Sequence, residues 1–307
     1  MVIVKIVVVC GPTGIGKTST AITLAQEFDG EIISADSMQI YRYMDIGTAK
    51  PDKEEQKQVA HYLVDVADPD EPFDAALFAD LADKAVEKIT CKKKLPIVAG
   101  GTGFYIKAML YGLFRGSPAD QTLIQQLEQE AEKKGGDTLY KRLEQIDPAS
   151  AASIHPHDTF RIVRALEVFM STGRTMSSFQ KAHEFAVKKY DALKIGLRMD
   201  RQELYRRIEQ RVDLMMDQGL IDEVENLRQM GYSCDLKSMQ SIGYRHICDF
   251  LNKKVSFEET LRLLKRDTRR YAKRQLTWFG REKDIVWIDP RDTDRAEVLV
   301  KDFLDRK

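Results

Sequence analysis

The sequence predicts an α/β protein, with a parallel sheet in its core and an α-helical insertion domain. Two observations carry this prediction. Short apolar runs alternate with amphipathic helical stretches in residues 1–112 and again after residue 190, which is typical of parallel strands connected by helices. Residues 113–189 lack strand-like runs and carry charged helical patterns. We therefore expect a core of residues 1–112 and 190–307 and an insertion domain of residues 113–189.

The composition narrows the class of protein. Hydrophobic residues make up 43% and charged residues 31% of the chain, which is ordinary for a globular protein. No apolar run reaches the length of a membrane span, and the N-terminal strand leaves no place for a signal peptide. We therefore expect a cytoplasmic monomer without a membrane partner. Lys and Arg number 48, as do Asp and Glu, so a polyanionic partner must meet a local basic surface.

The cysteines give no sign of a zinc module or of a disulfide framework. Cys10, Cys91, Cys234 and Cys248 are scattered along the chain and form no C-x-x-C pair. Both kinds of site use close and regular spacings, so the pattern argues against both.

A glycine-rich loop follows the first apolar run, residues 2–9, and precedes a helix expected at residues 17–28. It fits the Walker A pattern, two glycines separated by four residues and followed by Lys and a hydroxyl residue. In such loops backbone N–H groups surround a phosphate, the lysine adds positive charge and the hydroxyl can hold Mg²⁺. The sequence therefore predicts a di- or triphosphate site with Mg²⁺ on Thr18. The loop comprises Gly11, Pro12, Thr13, Gly14, Ile15, Gly16, Lys17 and Thr18.

Two further strand ends lie where ligands of open α/β sheets bind. The strand predicted at residues 31–36 ends on Asp36, and the strand predicted at residues 95–99 runs into the Gly-Gly-Thr-Gly turn of residues 100–103. Many NTP-hydrolysing P-loop proteins carry a magnesium-binding Asp at the second of these positions, and this chain has no carboxylate there. The turn lets Thr102 and the backbone approach an anion, although a plain strand-to-helix connection is the alternative.

Two helices predicted in the last third of the chain carry basic residues. Residues 200–218 place Arg207 and Arg211 one turn apart on a common face, and taken alone a solvated charged face explains them better. Over its last two thirds, the helix of residues 256–281 carries seven Lys or Arg and one acid. This excess, with interleaved aromatic rings, predicts a nucleic-acid contact, although a merely soluble helix is the alternative. The packed seam expected on this helix is Leu261, Leu264, Thr268, Tyr271 and Trp278.

Motifs along nearly the whole chain, in collinear order, resemble those of the bacterial tRNA dimethylallyltransferases, the IPP transferase family. The motifs are residues 11–18, 34–41, 44–51, 100–105, 164–167, 241–244 and 268–279. The second and last of them are far more specific than the phosphate loop. Departures are small: Tyr62 stands where a second His is frequent, and Ser241 stands where Ala is usual. The resemblance implies a P-loop nucleotide-kinase-like core with a parallel sheet.

The resemblance also implies a reaction, transfer of a dimethylallyl group from its diphosphate to N6 of the adenosine 3′-adjacent to the anticodon in tRNA, position 37. The loop amides, Lys17 and Mg²⁺ would stabilise the departing pyrophosphate, and Thr102 would hydrogen-bond its bridging oxygen. Asp36 would orient the adenine amine and accept its proton. By analogy with the family, Arg207 and Arg211 would contact the far side of the pyrophosphate.

The tRNA anticodon stem-loop is the partner that the resemblance implies, with a flipped adenosine entering the site. The helical insertion and the basic helix would hold opposite sides of the anticodon arm, since RNA loops are read through splayed bases. The residues expected to contact tRNA are Asp36, Ser37, Met38, Gln39, Arg161, Arg164, Ser241, Gly243, Tyr244, Arg245, Lys273, Arg274, Gln275 and Trp278.

Three other functions stay open on the sequence. A P-loop small-molecule kinase would use the phosphate loop and Asp36 but would leave the long insertion and the basic helix without a role. Prenylation of free adenine nucleotides would share the chemistry and leave the RNA-binding surfaces unused. An RNA-binding ATP or GTP switch would need a γ-phosphate sensor and an acid where Gly100 and Gly101 stand.

Overall fold

The structure is a computed structural model, and it describes residues 3–113, 120–183 and 188–306. The chain divides into two compact units, a core of Met1–Tyr111 with Lys188–Lys307 and a second unit of Gly112–Val187. These boundaries lie within two residues of those expected from the sequence. The tRNA-binding role expected of the second unit stays a prediction.

The core is built on a parallel sheet of six strands. In chain order they are β1 (Lys5–Cys10), β2 (Gly30–Ser34), β3 (His61–Tyr62), β4 (Leu95–Gly100), β5 (Asp191–Leu197) and β6 (Ile285–Ile288). Their order across the sheet is β3-β2-β4-β1-β5-β6, and every neighbouring pair is parallel. The inner strands are almost wholly buried, as expected of apolar strands covered on both faces. The predicted α/β class is confirmed, and the carboxyl ends of β2, β4 and β1 lie side by side.

Helices form most of the remaining described chain. They are α1 (Lys17–Glu27), α2 (Lys53–Gln58), α3 (Ala75–Cys91), α4 (Gly103–Tyr111), α5 (Gln121–Lys134), α6 (Gly136–Ile146), α7 (Pro148–Ser153), α8 (Thr159–Thr172), α9 (Met176–His183), α10 (Arg201–Asp217), α11 (Leu220–Gln229), α12 (Tyr244–Leu251), α13 (Phe257–Phe279) and α14 (Thr293–Asp305). Side-chain caps define several starts, such as Asp74 before α3 and Ser256 before α13. The sequence did not predict α2 or α9.

One strand lies earlier in the chain than its apolar run indicates. Residues 63–66 are the third apolar segment, but β3 occupies His61–Tyr62 instead. Leu63 and Asp65 have φ angles of 62° and 55°, and this left-handed backbone is incompatible with an extended strand. The apolar run therefore forms a turn that follows the strand.

The long helix α13 has a more polar packed face than its sequence spacing predicts. Leu264 and Thr268 are buried as expected, but Leu261 and Tyr271 are only partly buried and Trp278 is 36% exposed. The other buried positions are Thr260, Asp267, Ala272, Gln275 and Phe279. The two longest polar side chains among them make hydrogen bonds inside the core, which offsets the cost of burying them.

The second unit, α5–α9, has a hydrophobic core of its own. The buried side chains are Leu127, Leu139, Leu143, Ala151, Ile162, Val163, Ala165 and Leu166. Asp120, Asp147 and Asp158 accept backbone N–H bonds at the starts of α5, α7 and α8, which satisfies donors that a helix start leaves free. The predicted helical character of the insertion is confirmed.

Two of the four cysteines form a disulfide, which contradicts the expectation from their spacing. Cys234 follows α11, Cys248 lies in α12, and the two are bonded across a sequence separation of 14. The chain folds back between them, and this tertiary contact leaves no C-x-x-C signature. Cys10 is buried and free, and Cys91 is exposed and free.

Two negative findings concern only the part of the chain that the structure describes. It contains no group of three or more His, Cys, Asp or Glu side chains arranged to hold a metal ion. It also contains no helix that is both long enough and apolar enough to cross a membrane.

Candidate active site

The phosphate loop, residues 11–18, joins the end of β1 to the start of α1. Gly16 precedes the helix with a φ of 106°, a left-handed conformation that favours glycine. The N–H of Thr13 donates to Oε1 of Gln275 at 2.8 Å, and Nε2 of Gln275 donates to the carbonyl of Gly101 at 2.9 Å. Gln275 therefore ties α13 to the phosphate loop and to the Gly-Gly-Thr-Gly turn. It is only 6% exposed, so its expected contact with tRNA does not agree with this geometry.

Two cations and one carboxylate share the space beside this loop. Burial lowers the pKa of Lys17 to about 8, against the opposing effect of the Asp36 charge, and Nζ of Lys17 donates to the carbonyl of Pro12 at 2.8 Å. Burial also lowers the pKa of Arg211, whose guanidinium donates to Oγ1 of Thr13 at 2.6 Å. Both cations are partly buried, and the charge of Asp36 acts on both of them, an arrangement that favours binding of a further anion.

Arg207 is not brought to the same place as Arg211. Its side chain is 40% exposed and lies 3.5 Å from Glu203 on the same helix. Arg211 lines the cavity above the phosphate loop, whereas Arg207 is not among the described residues that do so. The sequence expectation that both would contact a diphosphate is therefore supported in geometry for Arg211 alone.

The Gly-Gly-Thr-Gly turn after β4 packs directly against the end of β2. A Cβ atom on Gly100 would lie 2.1 Å from the carbonyl oxygen of Ala35, so no other residue fits there. The N–H of Thr102 donates to that same carbonyl at 3.1 Å, and its Oγ1 accepts the N–H of Ser37 at 3.0 Å. The close approach thus sets the Thr102 hydroxyl beside the segment that carries Asp36.

Tyr271 is a site residue that the sequence reasoning did not assign. Burial raises the pKa of its hydroxyl and the charge of Asp36 adds to the rise, while a hydrogen bond to the Thr102 side chain opposes it. The phenol therefore stays protonated next to Asp36. Its position in residues 268–279, one of the two motifs that are far more specific than the phosphate loop, was the available signal.

Two adjoining cavities open around these residues. The larger, of about 770 Å³, is lined by the phosphate loop with Lys17 and Thr18 and by residues 45–56. The smaller, of about 290 Å³, is lined by apolar and polar side chains of α10, α12, α13 and the segments before them. Both cavities share Thr13, Asp36, Thr48, Arg211 and Met215. An anion in the larger cavity would therefore lie next to a group in the smaller one, with Asp36 between them.

Asp36 and Gln39 follow β2 and have different tasks. Oδ1 of Asp36 accepts the N–H of Met38 at 2.9 Å, which fixes the carboxylate at the wall that the two cavities share. Gln39 accepts the hydroxyl of Ser34 at 2.9 Å and donates to the carbonyl of Ala49 at 3.0 Å. Gln39 therefore holds a neighbouring loop through its amide, and its expected contact with tRNA stays a prediction.

Seven of the residues expected to contact tRNA line the smaller cavity. They are Asp36, Ser37, Met38, Ser241, Gly243, Tyr244 and Arg274. Oγ of Ser241 is buried and has no hydrogen-bond partner among the described residues. Tyr244 is fully buried and its hydroxyl donates to Glu223 at 2.6 Å, so this residue shapes the wall and its polar group is committed to the protein.

The remaining candidates lie outside both cavities. Arg245 pairs with Asp267 at 2.8 Å, and Lys273 is exposed on α13. Trp278 meets Phe104 edge to face, with ring centroids 6.4 Å apart, and both rings are partly exposed. In the second unit, Arg161 has a side chain that is 64% exposed and Arg164 is paired with Glu167.

Comparison with known proteins identifies the family. A model of the IPP transferase family matches residues 39–282. A tRNA dimethylallyltransferase of Desulfosudis oleivorans is 52% identical over 301 residues, which cover 98% of this chain and 96% of that protein. The tRNA dimethylallyltransferase 1 of Pelobacter propionicus is 50% identical over 285 residues, which cover 93% of this chain and 92% of that protein.

Solved structures give the same answer. A tRNA isopentenylpyrophosphate transferase from Bacillus halodurans superposes with a TM-score of 0.74 and 40% identity, covering 98% of this chain and 97% of that one. A eukaryotic dimethylallyltransferase acting on tRNA has a TM-score of 0.85 at 29% identity, covering 98% of this chain and 79% of that one. The chain therefore belongs to the IPP transferase family.

Proposed function

We propose that this chain transfers a dimethylallyl group from dimethylallyl diphosphate to N6 of the adenosine 3′-adjacent to the anticodon in tRNA, position 37. A bond forms between N6 and C1 of the allylic group, the bond from C1 to the bridging oxygen breaks, and N6 loses a proton. The products are N6-isopentenyladenosine and pyrophosphate. The observation that carries the proposal, beside the family, is that the two cavities meet at Asp36 and Arg211.

Lys17 and Arg211 would stabilise the charge that the diphosphate gains as the C–O bond breaks. Burial lowers the pKa of both groups, so an anionic ligand would compensate charge that the protein itself solvates poorly. Fixed charges aimed at developing charge are usually the largest electrostatic contribution to such catalysis. Thr102 would donate to the bridging oxygen. Its hydroxyl accepts the N–H of Ser37 and donates to Oγ of Ser37 at 3.4 Å, a long bond that it would exchange for one to the substrate oxygen.

Asp36 would accept the proton of the adenine amine. This amine is a weak nucleophile, and a carboxylate that removes its proton as the new bond forms assists the attack. Asp36 lines both cavities and its orientation is fixed by the N–H of Met38, which supports this role. Since a single chain supplies the residues that line both cavities, we expect the monomer to be active.

Mg²⁺ is the cofactor that we propose, and the oxygen donors of the site fit it. Thr18 lines the larger cavity beside Lys17, and the described part of the chain has no cluster of acidic, His or Cys ligands. Mg²⁺ commonly binds through substrate phosphates and water with few protein oxygens, so a single hydroxyl is sufficient. When bound, the ion would neutralise part of the diphosphate charge.

The test is one incubation of the purified protein with Mg²⁺, labelled dimethylallyl diphosphate and an anticodon stem-loop that carries adenosines 3′ to the anticodon. AMP and ATP are added as competing acceptors. Label on the RNA supports the proposed function, and label on the free nucleotides shows a nucleotide prenyltransferase instead. ATP turnover without transfer of label would leave a kinase or a nucleotide-dependent switch.

A further inference from the structure

The loop of residues 44–50 forms part of the wall of both cavities. Asp45 and Ile46 line the larger cavity, Gly47 lines the smaller one and Thr48 lines both. Residues 46–49 form turns and belong to no helix or strand. The position of such a segment depends on hydrogen bonds from elsewhere in the protein.

Glu223, on α11, supplies three of these hydrogen bonds, and Gln39 supplies two at the other end of the loop. Oε2 of Glu223 accepts the N–H of Asp45 at 2.9 Å and of Ile46 at 2.7 Å. Its Oε1 accepts the N–H of Gly47 at 3.1 Å and the hydroxyl of Tyr244 at 2.6 Å. One carboxylate thus holds three consecutive backbone amides, and hydrogen bonds to an ionised acceptor are roughly twice as strong as neutral ones.

The ring of Tyr244 packs against the 44–50 loop at Gly47. A Cβ atom on Gly47 would lie 2.6 Å from the Tyr244 ring, so the loop approaches the ring as closely as glycine allows. Burial, together with the charge of Glu223, raises the pKa of Tyr244 well above its ordinary value. The phenol therefore remains a donor to Glu223, and the loop, the ring and the carboxylate form one packed unit.

We propose that Glu223 is a positioning residue for the acceptor adenosine. By fixing the 44–50 loop it sets the width of the smaller cavity, and thereby the orientation of the base relative to Asp36. This inference rests on the proposed function. Glu223 itself is not among the described residues that line either cavity, so it acts through the loop and does not touch a substrate.

Although Asp45 and Ile46 line the larger cavity, the two cations proposed to bind the diphosphate are not held by this arrangement. Lys17 and Arg211 are held by Pro12 and Thr13, and these contacts do not involve Glu223. A change at Glu223 should therefore separate the two halves of the reaction. Binding of pyrophosphate reports on the donor half, and the KM for the RNA and the kcat report on the acceptor half.

The test compares Glu223→Gln with Glu225→Gln, which makes the same chemical change at an exposed position of the same helix. An amide cannot accept all of these donors, so Glu223→Gln should speed hydrogen exchange at the amides of Asp45, Ile46 and Gly47. We expect its kcat/KM for the stem-loop to fall roughly tenfold or more, since misplacement by 1 Å can cost about a hundredfold. Its Kd for pyrophosphate should stay within about twofold of the wild-type value, and Glu225→Gln should behave as wild type.

Two outcomes would overturn the inference. If Glu223→Gln exchanges faster at the loop but matches Glu225→Gln in kcat/KM, the loop is held without consequence for the acceptor. If pyrophosphate binding falls by as much as kcat/KM, the effect is general and the carboxylate does not act on the acceptor side. Failure of the proposed function looks different, because the wild-type protein itself would then transfer no label to RNA.

A second, milder variant keeps the inference testable if Glu223→Gln does not fold. Tyr244→Phe keeps the ring below Gly47 and removes only one of the four hydrogen bonds of the carboxylate. We expect a two- to fivefold loss of kcat/KM for RNA, as removal of a single hydrogen bond costs about 1 kcal/mol, with unchanged pyrophosphate binding. An unchanged kcat/KM in this variant would overturn the inference as well.

Discussion

The phosphate loop and the 44–50 loop both lie at the junction of the two cavities, but they are stabilised in opposite ways. In the 44–50 loop three consecutive N–H groups are satisfied by Glu223, an anion that belongs to the protein. At the phosphate loop, Lys17 and the neighbouring Arg211 of α10 are partly buried, and the charge of Asp36 acts on both. The polar groups of the 44–50 loop are therefore satisfied within the protein, whereas the cations at the phosphate loop would be neutralised by an anionic ligand.

This difference separates residues that bind from residues that position. A group whose polar partners all lie in the protein contributes shape, and its removal changes the geometry of the site. A buried cation without a matched anion contributes affinity, because a ligand supplies the missing charge. Gln39, Gln275 and Tyr244 belong to the first class, since their polar atoms bond to other parts of the core. Lys17 and Arg211 belong to the second.

The largest expected effect comes from Asp36, which belongs to neither loop and lies between them. Asp36→Asn keeps the size of the side chain but cannot accept the N6 proton. We expect kcat to fall by about 10²- to 10⁴-fold, the range typical of a lost general base. Single-turnover transfer to the stem-loop measures the change.

Binding measurements provide the control for Asp36→Asn. The Kd values for pyrophosphate and for the stem-loop should remain within roughly threefold of wild type, because Asp36 is proposed to act in the chemical step. A variant that turned over at a near-normal rate would show that another group accepts the proton.

The next effect concerns anion binding at the phosphate loop and compares a matched pair of arginines. Arg211→Gln should weaken pyrophosphate binding by roughly ten- to a hundredfold, since a charge-assisted hydrogen bond contributes about 1.5–3 kcal/mol. Arg207→Gln, one turn away on α10, should change it less than about twofold, because Arg207 does not line the larger cavity and its side chain lies beside Glu203. Isothermal titration with pyrophosphate measures both. Equal losses would mean that Arg207 turns toward the diphosphate when it binds.

The same distinction explains which parts of the molecule the sequence could predict. The parallel sheet, the phosphate loop and Asp36 were predicted because each is a local signal: an apolar run, a spaced motif or a strand end. The Glu223 contacts and the Cys234–Cys248 disulfide were missed because their partners are far apart or on separate elements. Gln275 was assigned to RNA for the same reason, since nothing near it in the chain shows that it faces the phosphate loop.

Two other differences from the sequence pattern have local physical causes. The apolar segment of residues 63–66 does not form a strand, because Leu63 and Asp65 adopt positive φ angles, which no hydrophobicity pattern reports. Arg207 and Arg211 share a helix face in the sequence pattern, yet only Arg211 meets Thr13. Helical spacing predicts which face of the helix a residue lies on. It does not predict the rotamer or the nearest acid, and these decide where the charged group of a long side chain lies.

A smaller effect is the pH dependence of pyrophosphate binding at the phosphate loop. Burial lowers the pKa of Lys17 to about 8 from the ordinary value of 10.5, so in the free protein Lys17 loses its charge as the pH rises through about 8. Pyrophosphate affinity should therefore fall roughly tenfold between about pH 8 and pH 9.5, where an ordinary lysine would keep its proton. Below about pH 7 Lys17 is almost fully charged, so its ionisation should no longer make the affinity change with pH.

Lys17→Arg is the control for this pH dependence, because arginine stays charged throughout the range. The ionisation of pyrophosphate affects both proteins equally, so the ratio of the two affinities isolates Lys17. We expect that ratio to change through about pH 8. A constant ratio up to about pH 10 would show that the Lys17 pKa is not lowered in the free protein.

The smallest expected effect extends the comparison to the second unit, where Arg161 and Arg164 lie on α8. Arg164 is paired with the buried Glu167, whereas Arg161 is largely exposed and only loosely paired with Asp158. Arg161→Gln should weaken binding of the stem-loop two- to threefold and reduce the slope of log Kd against log salt by about 0.7–0.9, the loss of one phosphate contact. Arg164→Gln should leave that slope unchanged, because its charge is already matched within the protein. If both variants left the slope unchanged, α8 would not contact the RNA backbone, and the basic residues of α13 would have to supply the electrostatic attraction without it.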